Sequence, residues 1–252
     1  LGSQYLIRDL VHIGTIAVTI MVVSVFVGAL LVIFLSRLFK VPDGLTGVLA
    51  AGLSCCGVSA CVAAAPIVGA KSEEVTYSIA TILSFGLVCL LTLPYIGRVL
   101  GMDDLGFGIW SAVGILDSAL VIAAGFMFSF DAGKIAGFVN LARVVLIPVA
   151  VLFIGMIILK DKFPVFVLGF FLLWILRGLG LFPRPAVYAM EAVMTWSFTL
   201  CFVGLGLQTK FGDLKKAGVR GVIIGYMAGV LKILLTLAVI LLLVKFGMLK
   251  RG

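Results

Sequence analysis

Eight long apolar segments dominate the chain and restrict what it can fold into. Of the 252 residues, 63% are hydrophobic and only 12% are charged, whereas soluble domains are about 45–50% apolar and about 25% charged. A helix needs about 20 apolar residues to span the hydrocarbon layer, and most of the segments have that length. The sequence therefore predicts an all-α polytopic membrane protein with one transmembrane domain over residues 1–252. The segments are Ile13–Leu35, Leu45–Ala70, Val75–Leu100, Leu105–Phe130, Ile135–Leu159, Val165–Leu181, Val187–Leu207 and Val219–Val244.

The charged residues and cysteines fit a membrane protein better than an enzyme or a nucleic-acid-binding protein. The net charge is +8, but the basic residues stand mostly at the ends of apolar segments, where they anchor a chain to the lipid surface. The five cysteines lack the spacing of a zinc site, so they are interpreted as small hydrophobic residues. No nucleotide-binding or hydrolase motif is found. We therefore expect no enzyme activity, no metal and no cofactor.

Two apolar segments are interrupted by residues that a continuous membrane helix disfavours. Residues 45–70 contain the stretch GLSCCGVSACVAAA, and residues 105–130 contain Gly114, Asp117 and Ser118. A glycine inside a helix costs about 1 kcal/mol relative to alanine, and a midspan aspartate costs roughly 2.5–3.5 kcal/mol. Irregular backbone is tolerated at membrane depth only inside protein or beside water. Each segment is therefore predicted to be a pair of half-helices, forming either a broken span or a re-entrant hairpin.

Internal similarities predict that the chain contains inverted repeats. The stretch LGSQ at 1–4, with Asp9, Leu10 and Gly14 behind it, recurs as LGLQ at 205–208 with the same residues at the same offsets. A weaker similarity links residues 59–65 with 118–124, inside the two interrupted segments. The number of crossings between the Ile13 and Val219 helices is odd whether the interrupted segments span or re-enter, so these helices face opposite ways. Duplicated halves with interrupted helices are typical of secondary transporters.

The longest of these motifs resembles the pattern of the YeiH-type sulfate exporter family of bacterial inner-membrane proteins. It is GLSCCGVSACVAAAPIVGAKSEEVTYSIATILSFG at 52–86, and FGIWSAVGILDSALVIAAG at 107–125 and VNLARVVLIPVAV at 139–151 match further parts of that family's pattern. The resemblance implies an inner-membrane transporter built on inverted repeats of about five helices, with sulfate or sulfite as substrate. It also implies that two or three helices of the family precede Leu1 and are absent from this chain.

Three positions depart from the family's pattern. Leu116 and Leu120 stand where the family usually has histidine and glutamine, while Asp117 keeps its acid. Asn140 stands where the family usually has lysine, three residues before the matching Arg143.

The first interruption has the composition of an anion site. If the chain unwinds around residues 56–58, a half-helix starting near Ser59 would present unpaired N–H groups and a partial positive charge of about +0.5. The hydroxyls of Ser54 and Ser59 would add donors, and Gly57 would let an oxyanion approach the backbone beside Cys56. The alternative is that these small residues merely allow close packing of helices.

The second interruption and the helix after it supply the candidate charges. Asp117 is interpreted as a cation or proton site, as a partner for a buried cation, or as the cap of a half-helix that starts at Ser118. Arg143 can bind an oxyanion through two N–H groups or pair with Asp117. Asn140 shares its helix face and is a neutral co-ligand candidate. Lys232, deep in the last apolar segment, is a weaker candidate for a cavity charge.

These observations favour a secondary transporter that moves a small anion by alternating access, with H⁺ or Na⁺ as a candidate coupling ion. Two alternatives stay open: a cation-coupled carrier of an organic acid, and a membrane scaffold or sensor that transports nothing. The expected partners are a small anion, the lipid bilayer and, in an oligomer, further copies of the chain. The candidate substrate-binding residues are Ser54, Cys56, Gly57, Ser59, Asp117, Ser118, Asn140 and Arg143.

Overall fold

The computed structural model of this protein describes residues 7–159 and 219–246, together with scattered positions between 189 and 204, and its described side chains begin at residue 14. The described residues are helical and contain no strand, which confirms the predicted all-α fold. The predicted segments at 165–181 and 187–207 lie almost wholly outside the described residues. The helices are α1 (Ile7–Leu38), α2 (Asp43–Ser54), α3 (Val58–Val68), α4 (Ser72–Val99), α5 (Asp104–Gly114), α6 (Ser118–Phe128), α7 (Phe130–Val145), α8 (Ile147–Leu159) and α9 (Val219–Lys245).

Three helices in the described part of the chain, α1, α4 and α9, are long and apolar enough to cross a membrane. Helices α7 and α8 together form a fourth candidate span, bent by 47°. The shorter apolar helices α3 and α6 belong to the two segments predicted to be interrupted. The polytopic membrane architecture is therefore supported by the lengths and composition of the helices.

The first interrupted segment folds back on itself as a helical hairpin. A Cβ added to Gly47, near the start of α2, would lie 2.5 Å from Val68 Cγ1 at the end of α3. Further along, the Cys61 thiol of α3 donates to the Val48 carbonyl oxygen of α2 at 3.5 Å. The two half-helices therefore lie side by side and antiparallel. We call α2 and α3 hairpin 1, and its tip is 55–57.

The second interrupted segment has the same form. The Ser129 hydroxyl, just after α6, donates to Asp104 Oδ1 at the start of α5 over 2.6 Å. The Phe107 ring of α5 stacks on the Phe128 ring of α6 with 4.1 Å between the centroids. The start of α5 therefore lies beside the end of α6. We call α5 and α6 hairpin 2, and its tip is 115–117.

The two hairpins point towards each other from opposite ends of α4. This helix joins the base of hairpin 1 to the base of hairpin 2 through 28 residues, a length of about 42 Å at 1.5 Å per residue. A half-helix of 11 or 12 residues is about 16–18 Å long, roughly half of the 30 Å hydrocarbon thickness. The tips meet, because a Cβ on Gly57 would lie 2.9 Å from the Leu116 carbonyl oxygen. Residues 55–57 and 115–117 form what we call the tip junction.

The two halves of the bent span each pack against one hairpin. Helix α7 packs against hairpin 2, where Gly108 of α5 adjoins Ile135. After Leu146 the chain turns into α8, which packs against hairpin 1, with Gly155 beside Ile67. The sequence predicted one apolar segment here, whereas the structure divides it into two helices. Pro148 explains the division, because proline has no N–H to continue the helical hydrogen bonds and its ring clashes with the carbonyl group four residues earlier.

Helices α1 and α9 run in opposite directions and flank the hairpins. Close packing of α9 on α4 sets its direction: Gly221 lies against Tyr77, Gly225 against Thr81 and Gly229 against Phe85. Because the residue numbers of α9 and α4 rise together along this contact, the two helices run parallel. Helix α9 therefore starts at the level of the hairpin 1 base, which is where α1 ends. The opposite orientation agrees with the parity of crossings, while the inverted repeat itself stays a prediction.

Candidate functional site

Four helix ends converge on the tip junction. Helices α2 and α5 end there, while α3 and α6 begin there. The last carbonyl groups of a helix carry a partial charge of about −0.5, and its first N–H groups carry about +0.5. Far from water, each end needs a partner of opposite polarity. The partners of these four ends define the chemistry of the site.

Lys232 caps the end of α2. Its ammonium group donates to the carbonyl oxygens of Leu53 at 3.0 Å and of Ser54 at 3.2 Å. The side chain comes from the middle of α9 and is only 6% exposed. From the sequence, Lys232 is only a weaker candidate for a cavity charge. Its position three residues after Gly229 indicates that Lys232 is buried, because residues three apart share a helix face and Gly229 lies on the buried face of α9.

Arg143 caps the end of α5. Its Nη1 donates to the Ile115 carbonyl oxygen at 2.8 Å, and its Nη2 donates to Asn140 Oδ1 at 2.6 Å. The guanidinium group is fully buried, and its Nε has no hydrogen-bond partner among the described residues. The predicted sharing of one helix face by Asn140 and Arg143 is thus seen directly. The Nε–H of this buried cation is therefore left over for a further acceptor.

Asp117 caps the start of α6. Its Oδ1 accepts from the backbone N–H of Ala119 at 3.0 Å and of Leu120 at 3.3 Å. The helix-cap interpretation of this aspartate is therefore confirmed in geometry, whereas a transport role stays a prediction. Within the described residues no ion pair joins Asp117 to Arg143, although the two charges are in electrostatic range. Ser118 begins α6, and its hydroxyl donates to Asn140 Oδ1 at 3.2 Å.

The N-cap residue of α3 provides no side-chain cap. It is Gly57, with φ 72° and ψ −113°, and glycine has no side chain to offer. Ser59 in the first turn is exposed. The Cys56 thiol lies against the Ala60 N–H and the Ser59 hydroxyl and is in electrostatic range of Arg143. Of the four helix ends at the tip junction, this is the one that no charged side chain of the described residues compensates.

One predicted donor is turned away from the tip junction. Ser54 is fully buried, and its hydroxyl donates back into α2, to the carbonyl oxygens of Ala50 and Ala51. A serine inside a helix commonly bonds to the carbonyl four residues earlier. Of the other seven predicted site residues, five lie in the hairpin tips or in the first turn after them, and Asn140 and Arg143 contact Ser118 and Ile115 from α7. The cysteines of the described residues are free and buried, as expected for small hydrophobic residues.

The comparisons with known proteins point to a membrane protein. The family model described as conserved hypothetical protein 698 matches residues 1–225. Two relatives from Nitratidesulfovibrio vulgaris, each named UPF0324 membrane protein, are 40% and 36% identical over 96% of this chain and 72% of their own length. A UPF0324 membrane protein from Clostridium tetani is 26% identical over 95% of this chain and 76% of its own length. No solved structure matches this chain.

Proposed function

We propose that this chain, which belongs to the family described as conserved hypothetical protein 698, is a secondary transporter for a small anion. The location proposed is the inner membrane of the bacterial cell, and the resemblance to the YeiH-type pattern makes sulfate and sulfite the first substrates to test. The proposal includes no enzyme activity and no cofactor. The other proposed partners are a coupling ion, H⁺ or Na⁺, the lipid bilayer and, in an oligomer, further copies of the chain.

The observation that carries the proposal is the start of α3, which no charged side chain of the described residues compensates, beside a buried arginine. The first N–H groups of α3 form an anion-binding end, and the N-cap residue Gly57 has no side chain to bond them. Arg143 supplies a charged N–H that has no other partner in the described part of the chain. A charge-assisted hydrogen bond to an anion would satisfy that group, which is otherwise costly to bury. The alternative of mere close packing leaves the spare N–H unexplained.

The arrangement of hairpins supplies a route for alternating access. Hairpin 1 packs with α8, and hairpin 2 packs with α7. The tips meet about halfway along α4, so an anion held there is covered from each side by one hairpin. Movement of one hairpin and its supporting helix past the other would open the tip junction to one side at a time. Transporters with discontinuous helices at the bilayer centre work in this general way.

The test is anion flux into liposomes that contain the purified protein, with Arg143→Gln as the variant. Loss of one charge-assisted contact of about 1.5–3 kcal/mol should weaken anion affinity by about 10- to 150-fold. Arg98→Gln is the matched control, because Arg98 also donates to carbonyl oxygens at a helix end, those of Met127 and Phe128, but at the base of hairpin 2. The proposal is wrong if the wild-type protein carries no anion, or if both variants carry anions equally well.

The same liposomes separate the alternatives. A flux that requires a sodium or pH gradient and is lost in Asp117→Asn would assign a cation-coupled carrier of an organic acid. A folded protein that shows no flux with any sulfur oxyanion or small carboxylate would favour a scaffold or sensor.

A further inference from the structure

We infer that the tip junction takes an anion with a single negative charge, and that Lys232, together with Arg143 and Asp117, sets this valence. The inference rests on the proposed function and makes it more specific. It comes from the formal charges that the structure places at the tip junction.

The partial charges of the four helix ends cancel. Two helices end at the tip junction and two begin there, so about −0.5 from each end is balanced by about +0.5 from each start. The net charge of the site is therefore decided by ionised side chains.

Three ionisable side chains face the tip junction from the described residues, each held there by its hydrogen bonds. When ionised, Arg143 and Lys232 each carry one positive charge, and Asp117 carries one negative charge. The other charged side chains that the structure describes lie within two turns of a helix end or in the links between helices, away from the tips. Over the described residues, two positive charges and one negative charge leave the tip junction with one positive charge.

Lys232 is the uncompensated charge. Arg143 is in electrostatic range of Asp117 and of Lys232, whereas Lys232 has the carbonyl oxygens of Leu53 and Ser54 as its hydrogen-bond acceptors. A buried charge without a counter-charge is strongly disfavoured. A bound anion of charge −1 neutralises the site, while a dianion leaves an excess negative charge and a neutral molecule leaves the excess positive charge in place.

The substrate class that fits is a small univalent anion: a singly protonated oxyanion, a sulfonate or a monocarboxylate. Sulfate is a dianion at neutral pH and fits this charge poorly, whereas the singly protonated form of sulfite fits it. The open α3 start and the Arg143 Nε provide the hydrogen bonds, and Lys232 provides the charge.

Three ligands of one shape test the valence. Sulfate, methanesulfonate and dimethyl sulfone all place four groups tetrahedrally around sulfur, and their charges are −2, −1 and 0. Their dissociation constants are measured in liposomes that contain the purified protein. Each ligand competes there with the flux of a labelled anion that the wild-type protein carries. The wild-type protein should bind methanesulfonate at least about tenfold more tightly than either of the others. Asp117→Asn, which raises the site to +2, should shift the preference to sulfate.

Lys232→Met should remove the preference for a charged ligand, and Lys245→Met, at the far end of the same helix, should change nothing. Lys232→Arg keeps the charge and should keep the order of affinities, which separates charge from loss of the α2 cap. The inference is overturned if the wild-type protein prefers sulfate, or if Asp117→Asn leaves the order unchanged. If no sulfur ligand binds to folded wild-type protein, the proposed function fails together with the inference.

Discussion

The substitution Gly57→Ala probes the contact between the two hairpin tips. Gly57 has φ 72°, and an added Cβ would lie 2.9 Å from the Leu116 carbonyl oxygen and 3.3 Å from Asp117 Cα. With ψ −113° this backbone lies outside the ordinary left-handed region, where a non-glycine residue costs of order 1–3 kcal/mol, and forcing an extra methyl group into a filled space costs roughly 1–3 kcal/mol. We therefore expect the variant to lose about 2–6 kcal/mol of stability and to bind anions less well, because the α3 start moves.

Gly69→Ala is the matched control. Gly69 also has positive φ, with φ 62° and ψ 33° in the ordinary left-handed region, but nothing lies within 4 Å of its added Cβ. It should lose only the backbone cost of about 1–2 kcal/mol and should bind anions normally. The assays are denaturant unfolding of the purified protein in detergent and anion affinity by flux competition. Equal losses of stability in the two variants would refute the close contact of the tips.

Two further predictions concern helix packing and access to the tip junction. Gly225→Val should lower the unfolding temperature, because a Cβ there would lie 2.5 Å from Thr81 Cγ2 and overpacking costs roughly 1–3 kcal/mol; Gly137→Ala, with nothing within 4 Å, should leave it equal or slightly higher. In variants with one cysteine, a negatively charged methanethiosulfonate should modify Cys56 faster than the fully buried Cys61, and the transported anion should slow the reaction at Cys56. Equal rates at both cysteines without protection would place Cys56 outside the anion path.

The interruptions of the helices were predictable from the residues themselves. Gly57 and Asp117 each stand where a helix must end or begin, and the structure breaks the chain at both. The cap formed by Asp117 followed from the known preference of aspartate for that position. Local composition was sufficient here, because the cost of these residues inside a helix is a local cost.

Whether the half-helices form a broken span or a hairpin was not predictable from local composition. A broken span and a hairpin have the same composition, and both give an odd number of crossings, so the choice depends on contacts between distant residues. The hydrogen bond from Ser129 to Asp104 and the approach of Gly47 to Val68 make that choice in the structure. The role of Lys232 was missed for a related reason: its depth in an apolar segment was plain, but its acceptors lie in another helix, nearly 180 residues earlier in the chain.

The most direct test of the account is to locate a bound univalent oxyanion. Perrhenate is tetrahedral, carries one negative charge and scatters X-rays anomalously, so a crystal of the protein soaked with it shows where the anion lies. We predict one strong anomalous peak at the tip junction, beside the first N–H groups of α3 and the Nε of Arg143. A peak confined to the basic residues at the helix ends, with none at the tip junction, would contradict it.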